Sequence, residues 1–264
     1  MSDLWCETAM LLSKVEQYCG QTECGLMSVE YIFTIDEKEH RYTVELDREF
    51  DFSLERNASA EWTQLTHHQC GNCPLTTKNC THCPAAVDLE AVVKDFQQLP
   101  AVKQAKIRVI TSDREYYKET SLEEGVRSLM GLIMATSACP ILEHLKPNAR
   151  NHLPFASQDE FILRSSAIYL LRQYFTYREG GRPDWDLQGL ININQELQIL
   201  NQAFWQRVHD ACENDTNLKA LLSFFNLSSS VSYSLESQLQ QIKPLMSNKD
   251  GEPALDRGGV STLF

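Results

Sequence analysis

"MSVEYIFTIDEKEHRYTVELD", residues 27–47, alternates twice between apolar and polar side chains. Tyr31, Phe33 and Ile35 take every second position, and Tyr42, Val44 and Leu46 do so again after a polar interval. A period of two places successive side chains on opposite faces of a strand. Residues 29–35 and 42–46 therefore read as a half-buried hairpin turning at Asp36–His40. The acids between the apolar positions fit a sheet with one wet face. Phe50, Phe52 and Leu54 alternate in turn and predict a third strand. Further on, "VKQAKIRVITSD" and "REYYKETS" form a second hairpin near 103–119, turning at Asp113 and Arg114.

Around these strands the period changes to that of a helix. Pro84 opens "PAAVDLEAVVKDFQQL", where its missing N–H costs nothing, and Pro100 closes it. Ser121 with Glu124, and Ser157 with Glu160, have the spacing of capping boxes. They predict helices over 122–138 and 160–177, with Phe161, Ile168, Leu171 and Phe175 on one face of the second. After the loop "GGRPDWD", with Asp186 as N-cap, come Leu190, Ile193, Leu197, Leu200, Phe204, Val208 and Ala211 in steps of three and four. "NDTN" at 214–217 interrupts that helix, and one or two more occupy 217–246. A short amphipathic helix over 4–18 is also expected.

The expected fold is α+β, an N-terminal antiparallel β-rich region followed by a mostly helical bundle. Its divisions are an acidic β-rich region, 1–66, a cysteine-rich segment, 67–86, a helical region with the second hairpin, 87–246, and a flexible tail, 247–264.

The charge excludes some functions. The chain carries −12, and residues 1–66, with 14 acids against 5 bases, hold −9 of it. Nucleic-acid affinity comes largely from Lys and Arg neutralising phosphates, so a nucleic-acid partner is not expected. The same argument disfavours an anionic membrane surface. The opening residues lack the basic start of a secretory signal, and no apolar run is long enough to span a bilayer. The expected location is the cytoplasm, where nine cysteines are thiols or metal ligands rather than disulfides. Cys6, Cys19, Cys24 and Cys212 stand alone and read as structural thiols.

The other cysteines do not stand alone. "HHQCGNCPLTTKNCTHCPAA", residues 67–86, holds Cys70, Cys73, Cys80 and Cys83 as two C-x2-C pairs six residues apart. Each pair can turn two sulfurs onto one ion, and Gly71 allows an unusual backbone angle beside the first ligand. Four thiolates in a cytosolic chain point to zinc. An iron–sulfur cluster takes the same ligands, although the spacing matches neither common ferredoxin pattern. His67, His68 and His82 could each replace a cysteine. Cys73, Cys83 and Cys139 all precede proline. With Pro84 and Pro140 at first helical positions, Cys83 and Cys139 become N-caps, where the helix favours a thiolate for metal binding or redox reactivity. Cys139 and His144 could form a nucleophile pair, though a buried cysteine beside a boundary histidine is the simpler reading. The phosphate-loop, dinucleotide, zinc-protease and serine-hydrolase motifs are absent from the sequence.

"CGNCPL", "GLIMATSACPIL", "HLPFAS" and "PDWDLQGL", in this order, resemble an uncharacterised family of bacterial proteins known only as a domain of unknown function. The likeness covers about 62–210 and implies a bacterial cytosolic protein with no assigned activity. The pattern associated with that family has C-x2-C-P-L and a later Cys-Pro, without a cysteine at the place of Cys80. It therefore implies an alternative ligand set, Cys70, Cys73, Cys83 and Cys139, which would clamp the cysteine segment onto the bundle.

The function expected from the sequence is non-catalytic: a zinc-stabilised adaptor or regulator acting through a protein partner. The alternative is a thiol-redox or iron–sulfur protein or enzyme using Cys83 or Cys139 at helix N-termini.

Overall fold

The structure, a computed structural model, describes residues 27–47, 60–78, 80–211 and, near the C-terminus, 219–220, 235, 237, 239–244 and 246. The expected strand at 50–54, the helix at 4–18, the interruption at 214–217, the tail and the four isolated cysteines lie outside the described residues.

The first hairpin is β1 (Ser28–Ile35) and β2 (Lys38–Glu45), with Tyr31 opposite Tyr42 and Phe33 opposite His40. The turn is tighter than the expected Asp36–His40. Only Asp36 and Glu37 lie between the strands, at φ 47° and 66°. Two left-handed residues are what a type I′ turn requires, and its twist matches that of the strands. Lys103 Nζ holds the Asp36 carboxylate at 2.5 Å.

The second hairpin is β3 (Gln104–Ile110) and β4 (Glu115–Ser121). Both hairpins join in one antiparallel sheet of order β2-β1-β3-β4, so strands from either side of the cysteine segment share a sheet. Its buried face carries Tyr31, Phe33, Ile35, Val44, Ala105, Ile107 and Val109. Ile32 points to the wet face yet is 2% exposed, between its cross-strand partners Arg41 and Arg108. Those arginines pair with Glu30, Glu39 and Glu115, which leaves their stems beside it.

Two helices cover the buried face. Pro84–Phe96 forms α1 and Leu122–Thr136 forms α2. Phe96 packs on Phe33 with the rings tilted at 52° and their centroids 5.2 Å apart. Gly125 lets α2 approach the sheet closely, because a Cβ there would lie 2.1 Å from Ile107 Cδ1 and 2.7 Å from Phe33. The expected capping box at Ser121 is not built. The Leu122 and Glu123 N–H groups donate to the Lys103 and Ala101 carbonyls at 2.7 and 3.1 Å. Glu124 instead takes Lys118 Nζ at 2.6 Å and the Thr120 hydroxyl.

A 3-10 turn (Leu142–Leu145) and the short α3 (Lys146–Arg150) lead to α4 (Gln158–Arg178). Here the capping box is complete: Ser157 Oγ accepts from Glu160 N–H, and Glu160 accepts from Ser157 N–H. The stripe expected along α4 is buried only at its start. Leu171 is 56% and Phe175 53% exposed, because the packing of α4 stops before its last turns.

The last long helix, α5 (Gln188–Ala211), buries Leu190, Leu197, Leu200, Phe204 and Val208 as its periodicity predicts. Its cap is Asp184 rather than Asp186. Asp184 accepts from Gln188 and Gly189 N–H at 3.2 and 2.7 Å and from Tyr169 Oη at 2.8 Å. Leu235, Leu239 and Ile242 pack in a satellite cluster with Phe161, Ile162, Leu187 and Leu190. No helix among the described residues is long and apolar enough to cross a membrane.

Candidate metal centre

The cysteine segment is a loop closed at its neck. Leu65 N–H donates to the Thr81 carbonyl at 2.9 Å, Cys83 N–H donates to the Thr63 carbonyl at 2.7 Å, and Gln64 and His82 form an antiparallel bridge. Within the loop, Cys73 N–H donates to the Cys70 carbonyl at 3.0 Å, the tight turn a C-x2-C ligand pair needs. The loop rides on α5: Asn72 Nδ2 donates to the Glu196 carbonyl at 3.1 Å, and Cys70 Sγ faces the Leu200 carbonyl at 4.0 Å. Gly71 does not use the left-handed region expected of it. His68 does, at φ 44°.

Cys83 is the N-cap of α1 with Pro84 at the first helical position, as the sequence predicts. The N–H groups of Ala85 and Ala86 act on its sulfur and stabilise the thiolate. The same expectation for Cys139 needs correction. Pro140 begins an irregular turn, and the 3-10 turn that follows is capped by Ile141. The turn nevertheless brings the Ile141 and Leu142 N–H groups to bear on the Cys139 sulfur. Two Cys-Pro steps in different surroundings thus present a sulfur to backbone donors.

Four thiols form one electrostatic group. The Cys70 thiol is pushed up to about 12, by burial first and then by Cys83, Cys139 and Cys73, against the pull of Arg207. The Cys139 thiol is held up at about 11, by burial first and less so by Cys83 and Cys73, against the Leu142 and Ile141 N–H groups. Cys83 is raised as well, by burial first and with Arg207 opposing. Cys80 is engaged within its own loop. Its thiol donates to the His82 carbonyl at 2.6 Å. All five are free thiols. Among the described residues no three of their sulfurs lie within 4.8 Å of one another.

That spacing is met by His67, His68 and Asp210, where one carboxylate oxygen lies 3.3 Å from His67 Nε2 and 2.8 Å from His68 Nε2. His82 is turned aside, its Nδ1 2.9 Å from Thr81 Oγ1. Of the Cys139–His144 pair, the thiol is buried and the imidazole exposed.

Sequence reasoning missed Arg207. Its side chain is 1% exposed and donates to the carbonyls of Trp62 (2.6 Å), Gln64 (2.6 Å) and Leu65 (3.3 Å), while its Nε has no partner. It thereby holds the entrance to the cysteine loop. Burial pulls its pKa down, and Cys83, Cys70 and Cys73 pull it back up. The signal was present in the sequence: a charge three residues after Phe204 and one before Val208 falls on the apolar face of α5.

No curated protein and no solved structure matches the chain. The model of one family, described as a domain of unknown function (DUF6901), matches residues 28–247, a span that takes in both hairpins, the cysteine loop, Cys139 and α5. The chain belongs to this family of uncharacterised proteins.

Proposed function

We propose that the chain is a cytosolic, zinc-stabilised binding protein in which Cys70, Cys73, Cys83 and Cys139 hold one metal ion. Arg207 carries this reading. A guanidinium buried among carbonyls is costly unless an anion lies near. The groups acting to keep it charged are three of the four cysteines. As neutral thiols they offer it no counter-charge. Coordination removes the thiol protons, and four thiolates on a divalent cation leave a net −2 beside Arg207. The backbone donors at Cys83 and Cys139 favour the same ionised state.

A four-sulfur set leaves no coordination position for water, so the ion would supply stability rather than catalysis. It would draw the four sulfurs together and join the cysteine loop to the start of α1 and the segment after α2. A metal-free redox role fits the electrostatics less well. A thiol held near 11, as Cys139 is, carries almost no thiolate at neutral pH. The protein's work then falls to its surfaces and cavities, in binding a partner.

Elemental analysis and X-ray absorption, on full-length protein purified without chelator, test the reading. About one zinc per chain with sulfur ligands alone, at about 2.3 Å, is the expected result. Absence of metal, a shell of nitrogen or oxygen, or iron with visible absorption would overturn it.

A further inference from the structure

A second inward-facing guanidinium, that of the half-buried Arg164 on α4, has Nε and Nη1 buried without a hydrogen-bond partner. It lines a cavity of about 70 Å³ between α2, α3 and α4. Arg127 of α2 lines the same cavity and is loosely held, 3.8 Å from Glu124 and 3.4 Å from the Ala156 carbonyl. Both guanidiniums act on the Tyr31 hydroxyl, and Arg164 also acts on His152, so the two charges stand at one end.

The polar groups at that end are ordered but uncharged. Phe155, held at φ 59°, donates its N–H to Ser128 Oγ at 3.1 Å. Ser128 Oγ lies 2.7 Å from Tyr31 Oη, which lies 2.6 Å from His152 Nε2. Burial, then Arg164, pushes His152 down to about 3, so its imidazole is neutral, and burial keeps Tyr31 protonated. Glu160 acts on Arg164 from a distance, but its carboxylate is taken by Ser157 N–H at 2.8 Å. Asn148 also lines the cavity, with its Nδ2 donating to Ser165 Oγ at 2.7 Å, and the remaining walls are apolar: Leu132, Ala135, Leu145, Ala149 and Phe161.

We propose that this cavity binds a short-chain monocarboxylate, with the carboxylate on Arg164 and the alkyl chain against Leu132, Ala135 and Leu145. The planar fork of a guanidinium matches the two oxygens of a carboxylate. A phosphate needs donors on several sides, and the apolar walls supply none. One water requires about 10–15 Å³ of such space, so the cavity holds a handful of heavy atoms. The inference does not rest on the metal.

Calorimetric titration of the full chain with sodium butyrate, and separately with inorganic phosphate at matched ionic strength, tests it. Butyrate should bind saturably at one site per chain. Arg164→Met should weaken binding at least about tenfold, because one charged fork is lost. Ala135→Leu, which fills the cavity and keeps the charge, should abolish it. If Arg164→Met does not fold, Ala135→Leu decides the matter. Absent butyrate binding, binding unchanged by either folded variant, or phosphate bound in preference to butyrate would each overturn the proposal.

Discussion

Arg207 and Arg164 both sit on helix faces turned inward, and the molecule accommodates them in different ways. Arg207 has three carbonyl acceptors for its terminal nitrogens, an Nε without one, and a group of cysteines for neighbours. Arg164 has two buried nitrogens with no acceptor, and its side chain lines a largely apolar cavity. Buried donors are nearly always satisfied in native proteins, so an unsatisfied one calls for a reason. A charge whose acceptors come from the chain itself is part of the scaffold. A charge left open toward a cavity awaits something from outside.

Neutral substitutions should break this comparison if it is false. Arg207→Met leaves the Trp62, Gln64 and Leu65 carbonyls without their donor and the cysteine group without its cation. Its cost should be about 3–5 kcal/mol in urea unfolding. Arg164→Met removes an unpartnered buried charge and should leave stability unchanged or raise it. Equal losses for the two variants would erase the distinction.

A smaller effect sharpens the view of the Arg164 end. His152 is held at about 3 in the folded protein against 6.5 for the free side chain. Below pH 6.5 the unfolded chain takes up a proton that the folded chain refuses, so stability falls as pH falls toward 3. The contribution is at most about 1.4 kcal/mol per pH unit. His152→Gln should flatten that part of the profile, read as the difference between wild type and variant over the window. Parallel profiles would mean that His152 does not stay neutral.

Much of the fold is legible in the sequence because it rests on periodicity. The two hairpins follow from alternation at Tyr31–Ile35 and Ala105–Val109, and α5 follows from its three-four stripe. Local chemistry was legible only where tertiary structure left it alone. Ser157 and Glu160 close their capping box, whereas the equally spaced Ser121 and Glu124 do not. There, the Ala101 and Lys103 carbonyls, just before β3, take the helix N–H groups, and Glu124 finds a lysine and a threonine. The tight turn at Asp36–Glu37 lacks the glycine or asparagine that usually announces it. The stripe on α4 shows which face is apolar but not how far the neighbouring elements extend along it. Both arginines were written into helix periods, as charges at inward positions, but their surroundings come from segments far apart in sequence. The cysteine spacing marked 67–86 as special; the electrostatic grouping of Cys139 with Cys70, Cys73 and Cys83 is a property of the folded chain.

The central claim is the choice of sulfurs. Zinc content per chain, measured on Cys139→Ser and Cys80→Ser purified in parallel without chelator, tests it most directly. The account predicts that Cys80→Ser keeps about one zinc and that Cys139→Ser loses it or binds it far more weakly. Zinc retained in Cys139→Ser and lost in Cys80→Ser would place the ion within the C-x2-C-x6-C-x2-C loop and contradict the account.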